Sequence, residues 1–170
     1  MRKFFPVPLL FLAGLLLITG CDEGIQPPAG SSDNGPQQSG FAGTITYRNW
    51  PAPDSLFDLR LIAFRTFPPA SILTEVISGQ AIIYPALGDT SLPFNVDTTH
   101  YFVPAPAGDY QYIVVAQQFG PNILTDWRAV GQYDLDANLA VPSPIQVPAN
   151  RALRNIDILV DFAQRPPQPF

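Results

Sequence analysis

Ile156, Ile158, Val160 and Phe162 alternate with Asn155, Asp157, Leu159 and Asp161, and this two-residue period recurs from about residue 41 to residue 163. Such a period puts apolar side chains on one face of a strand and polar ones on the other. Phe57, Leu59, Leu61 and Ala63 repeat the pattern against Asp58 and Arg60, after which Ile62 and Phe64 make the segment apolar on both faces. Tyr110, Tyr112, Val114 and Ala116 line one face of another strand, with Ile113 and Val115 on the other. Further strands are expected over 41–48, 76–84, 99–103 and 144–147. Gly and Pro clusters separate them, at Pro51 to Asp54, Pro68-Pro69, Gly88-Asp89, Pro104 to Gly108 and Gly120-Pro121. Proline lacks the amide a strand ladder needs, so its place at strand ends fits this reading. Residues 122–130 fit either a short helix, since Ile123, Trp127 and Val130 stand at helical spacing, or an irregular edge strand. About seven short strands with frequent turns predict an all-β chain, a single antiparallel β-sandwich over 41–163.

The first twenty residues have the build of an export signal. Arg2 and Lys3 form a positive start, Phe4 to Ile18 an apolar run, and Thr19-Gly20 a small-residue cleavage point. The run is shorter than the ~20 apolar residues of a spanning helix, and Asp22-Glu23 follow at once. Cys21, the only cysteine, stands directly after it.

Ile18-Thr19-Gly20-Cys21 resembles the lipobox of bacterial lipoproteins. The resemblance implies cleavage before Cys21, a thioether diacylglycerol on its sulfur and an acyl chain such as palmitate on its new amino group. Several acyl chains anchor stably where one binds marginally. An acylated cysteine is also inert where a free exported thiol would be reactive. The expected partner of Cys21 is therefore the membrane. Residues 22–40 are rich in Gly, Pro, Ser, Gln and Asp with one large apolar residue, Ile25. They read as a disordered tether spanning about 20–25 Å. Residues 164–170 form a proline-rich tail. Asp22 resembles an inner-membrane retention signal of enterobacteria, whereas acidic residues after the cysteine resemble a surface-export signal of Bacteroidota-like bacteria. Asp22-Glu23 with a long polar tether favours the outer membrane, at its periplasmic face or the cell surface.

The run Val103-Pro104-Ala105-Pro106-Ala107-Gly108-Asp109-Tyr110, continuing to Ala116, is similar to a stretch of transthyretin-like, carboxypeptidase-regulatory-like sandwich domains. Gly43-Thr44-Ile45-Thr46 matches their opening strand and Ile156-Asp157-Ile158 their closing one. The resemblance implies a non-catalytic accessory or binding module, close to the immunoglobulin-like sandwiches in shape. In physical terms Gly108 suits a turn of positive φ, and Tyr110 a core ring whose hydroxyl reaches a turn carbonyl.

Composition narrows the chemistry. With Arg2 and Lys3 removed, seven basic residues face fourteen acids, a formal charge of −7 that repels nucleic acid. No lysine remains, so phosphate loops and Schiff-base chemistry are excluded. The single histidine, His100, lies in a strand-like segment, and no GxSxG elbow is present. No cofactor is expected, and the chain reads as a non-enzyme. Asp157 and Asp161 lie ~13 Å apart along a strand, too far for a glycosidase pair. Asp134 and Asp136 are ~6.5–7 Å apart in an extended chain, within the inverting range, although neighbouring loop acids are more often solvated. Asp134, Asp136 and Asn138 also open like a calcium loop, but Leu139 and Ile145 stand where an EF-hand needs Gly and Glu. The alternatives there are a looser metal site and an Asx-rich turn. Trp50, Trp127 and Tyr133 are the candidate ligand-binding residues, able to stack on sugars or else to plug the ends of the core. The leading expectation is a lipid-anchored envelope module that binds an envelope protein; the alternative is a surface glycan binder using those three rings.

Overall fold

The structure, a computed structural model, describes residues 38–136 and 138–169. The leader, Cys21 and the link as far as Gln37 lie outside the described residues. In chain order the elements are β1 (Gly40–Arg48), a 3-10 turn (Pro53–Ser55), β2 (Asp58–Phe64), α1 (Ile72–Ile77), β3 (Ala81–Tyr84), β4 (Thr98–Pro104), β5 (Gly108–Tyr110), β6 (Tyr112–Gln118), β7 (Trp127–Gln132), β8 (Ile145–Val147), β9 (Ala152–Leu153) and β10 (Ile158–Asp161). The chain is all-β in class. No helix among the described residues is long and apolar enough to cross a membrane.

One sheet runs β3-β2-β6-β7-β10-β1-β4, with β9 beside the start of β1, and β5 pairs with β8 as a separate ribbon. Ile82 and Tyr84 from one end strand and Tyr101 and Val103 from the other pack into the same core, so the sheet curls around it. Phe41, Ile45, Leu59, Leu61, Tyr110, Ile113, Val115 and Val160 are fully buried there. Each such large side chain contributes about 1.5–3 kcal/mol of hydrophobic stabilisation.

The sheet is not purely antiparallel as expected. β1 runs parallel to β10, from Ile45↔Ile158 to Arg48↔Asp161, and parallel to β9. These partners are separated by most of the chain, so no tight turn imposes an antiparallel arrangement on them.

The expected two-faced burial of β2 is present. Leu59, Leu61 and Ala63 enter the main core, while Ile62 and Phe64 join a second cluster with Tyr112, Val114, Ala116, Ala129 and Ile72. Phe57, expected on the inner face, precedes the strand and is 51% exposed. Tyr110 and Tyr112 also part company, into the first and second clusters. The chain leaves the β5–β8 ribbon at Gln111 and joins β2 through β6, which resets the alternation.

The strand expected over 76–84 is half right. Only its end is β3; its start belongs to α1. Ser71 Oγ accepts the Thr74 amide at 3.1 Å, and Glu75 Oε1 accepts that of Ala70 at 3.2 Å. These bonds satisfy amides that open a helix. Ile72 and Val76, four residues apart, then turn to the second cluster.

Two details of the 103–116 reading hold. Gly108 has φ +135°, a region that favours glycine, and Tyr110 donates to the Pro106 carbonyl at 3.1 Å. The proline-rich tail is docked. β10 reaches β7 only at Leu159↔Gln132 and Val160↔Gly131. Beyond them the Gln168 amide takes over as a strand would, accepting from the Ala129 N–H at 2.8 Å and donating to its carbonyl at 3.1 Å.

Two buried tyrosines should respond oppositely to loss of the hydroxyl. Tyr112 Oη has no hydrogen-bond partner among the described residues, whereas Tyr101 Oη donates to the Ile156 carbonyl. Urea unfolding of Tyr112→Phe should show stability unchanged or raised by up to about 1 kcal/mol, and Tyr101→Phe should lose about 1–2 kcal/mol.

Candidate functional site

Outside the curl, β1, β10 and β7 present the faces turned away from the core. Leu159, 49% exposed between the buried Ile158 and Val160, marks the change of side. Together with the 134–139 loop these strands form a groove of about 540 Å³. Val130, Ile158, Leu159 and Leu139 give it apolar surface; Thr46, Gln132, Arg48 and four aspartates supply the polar lining. Asp134 and Asp136 come from the loop, Asp157 and Asp161 from β10 and its approach. These two acid pairs are far apart in sequence, and the pairing of β10 with β7 unites them in one groove.

Each carboxylate has a local task. Asp134 accepts from Ser143 Oγ at 3.0 Å and Gln132 Nε2 at 3.1 Å; Asp136 accepts the Asn138 amide at 2.6 Å. Asn138 Oδ1 in turn accepts the Ala140 amide at 3.3 Å. These bonds give the stretch the geometry of an Asx-rich turn. No three His, Cys, Asp or Glu side chains among the described residues form a set that could hold a metal. Asp161 accepts from Asn49 Nδ2 at 2.9 Å and from the amides of Ala163 and Gln164. The Asn49 bond chiefly, then the two amides and Arg48, hold its carboxyl below the usual range. Asp157 accepts the Thr44 amide at 2.8 Å. Burial chiefly, and the Asp157 charge next, raise the Tyr101 and Tyr133 hydroxyls above the usual phenol range.

Because Asp134 already has protein donors, the loop should keep its shape without a cation. Asp134→Ala is expected to cost about 1–2 kcal/mol through the donors left unpaired, equally in calcium and in EDTA. Thermal unfolding checks this. A calcium-dependent gain in the wild type that the variant lacks would reveal a cation instead.

Asp157 also borders a second depression of about 340 Å³ with Thr44, His100, Tyr101 and Arg154. His100 is exposed, its Nδ1 3.1 Å from Thr44 Oγ1.

The three aromatic candidates occupy different surroundings. Trp50 stacks between Tyr47 and Phe162, at centroid distances of 4.8 and 4.7 Å, and donates to the Val96 carbonyl at 3.1 Å. Tyr133 is 8% exposed in the main core. Trp127 opens β7, packs on the second cluster and donates to the Ile123 carbonyl at 2.7 Å. Of the 122–130 segment, residues 122–126 form a turn and residues 127–130 belong to strand β7, so the strand alternative holds for its second half and the helix for neither half. Comparison with protein-family models, curated proteins and solved structures finds no match to this chain.

Proposed function

We propose that this chain is a lipid-anchored protein of the bacterial envelope, held at the outer membrane through acylated Cys21, whose domain is a non-enzymatic accessory module. The observation that carries the reading is the lone cysteine closing Ile18-Thr19-Gly20-Cys21, directly after the apolar run. The outer-face groove is the surface offered to an envelope protein, with an apolar floor to bury and polar groups at its rim. Further support comes from candidate catalytic groups already engaged in the fold: Asp134 and Asp136 by their loop, His100 by Thr44. We read the curled sheet and its ribbon as a sandwich of the transthyretin-like kind. Gly108, Tyr110 and the meeting of first and last strands speak for it. The glycan alternative has less support, since Trp50 and Tyr133 are packed into the domain.

A photocrosslinking amino acid at Leu159, in the groove, tests the partner. In intact cells it should capture one recurrent envelope protein that the same probe at Ser78, on the α1 side, does not. Repeated recovery of the uncrosslinked chain would count against the groove.

A further inference from the structure

Beyond the groove, the chain carries an apolar surface with no charged residue in its lining. Ile72, Leu73, Val76, Ile83, Leu87 and Trp127, with Ile123, meet on the outer side of the second cluster. Its outermost members are exposed, Leu87 43% and Ile123 50%, as are their sequence neighbours on the turn and on α1, Leu124 64% after Ile123 and Ile77 77% after Val76. Aliphatic side chains left this open around one apolar depression call for an occupant. The depression between them holds only about 10 Å³, room for one water and no socket for a partner's side chain.

We propose that this face, α1 together with the 122–127 turn, docks on the bilayer to which Cys21 is anchored; the inference rests on that lipid-anchored reading. Three observations select a lipid surface as occupant. First, the turn pairs several of its own donors. Asn122 Oδ1 accepts the Leu124 amide at 3.0 Å, Asp126 Oδ2 accepts the Asn122 amide at 2.9 Å, and Trp127 Nε1 donates to Ile123. A tip built so strands few donors on leaving water, which eases entry into an interfacial layer. Second, Ile123 and Leu124 lie at the tip and Trp127 behind them, placing an aromatic ring where the headgroups would be. Third, only sixteen residues, 22–37, separate the lipidated position from the described domain. Even fully extended they reach about 60 Å, so the bilayer is an apolar phase always within range. The excess of acids over bases predicts docking through apolar contact and not through charge, preferring zwitterionic lipid and tolerating salt.

The test uses protein extracted from bacterial membranes expressing the full chain with Trp50→Phe, so that Trp127 is the reporter. It is reconstituted into phosphatidylcholine vesicles carrying bromine high on the acyl chains. Vesicle flotation reads the anchor; quenching of Trp127 reads the docking. Expected are flotation, strong quenching that persists at high salt, and loss of quenching with flotation retained in Ile123→Asp and Leu124→Asp. Both sites are exposed, and an unchanged unfolding midpoint will show that the variants fold. Flotation without quenching overturns the docking alone. Failure to float overturns the anchored reading and the docking with it. A shift of Trp127 emission that grows with protein concentration in the absence of vesicles would mean that a second copy covers the face, and would also overturn the proposal.

Discussion

Replacing Arg60 by Met is expected to cost the domain about 3–5 kcal/mol, the loss seen when one partner of a buried ion pair is removed. The side chains of Arg60 and Asp58 are 5% and 14% exposed, and Nε lies 2.8 Å from the carboxylate. The guanidinium also donates to the carbonyls of Pro85, Ala86 and Asp89, at 3.1, 3.0 and 2.9 Å. Asp58 in turn accepts from Ser91 Oγ at 2.6 Å. Two residues on one strand thus pin the 85–91 loop. Methionine keeps the volume but leaves a buried carboxylate and three carbonyls without that donor. The melting temperature should fall on the order of 10 °C. Lysine restores the charge but not the fork of donors, so Arg60→Lys should recover only part of the loss. Denaturant unfolding of the two variants decides the point, and a loss below about 1 kcal/mol for Met would show that the loop does not depend on the pair.

A single methyl group at Gly43 should be comparably damaging. A Cβ there would stand 2.0 Å from the Ile156 carbonyl oxygen and 2.5 Å from its carbon. These are backbone atoms, so no rotamer change relieves the clash. The same approach lets the Ile156 amide donate to Ala42 and the Thr44 amide to Asp157. Gly43→Ala must therefore push the approach to β10 away from β1, at an expected cost of about 3 kcal/mol or more. Gly79→Ala is the contrast. Its Cβ would meet open space, and only its φ of +73° opposes the change, so the expected cost is about 1 kcal/mol. Unfolding midpoints that fail to separate the two variants would contradict the packing of β1 against residues 156–157.

How far the sequence could be read depended on whether the deciding contacts were local. Alternation in β1, β2 and β10 is a property of neighbouring residues, and those strands lie where it puts them. The short helix α1 is missed when the 76–84 stretch is read whole as a strand, although Ser71 and Gly79 stand where a helix cap and a helix end would. The parallel pairing of β1 with β10 left no local trace, because its partners lie at the two ends of the domain. The same holds for the groove. Asp134 and Asp136 were legible as an Asx-rich stretch and Asp157 and Asp161 as one strand face, but only the sheet order brings them together. Arg60 and Gln168 were silent for another reason: their partners are mostly backbone carbonyls and amides, which no residue type announces.

Mass spectrometry of the N-terminal peptide, from protein extracted out of bacterial membranes, tests the central claim most directly. The expected species begins at Cys21 and carries a diacylglyceryl thioether together with an acylated amino group. A chain that still begins at Met1, or a free Cys21 thiol on protein recovered without membranes, would contradict it.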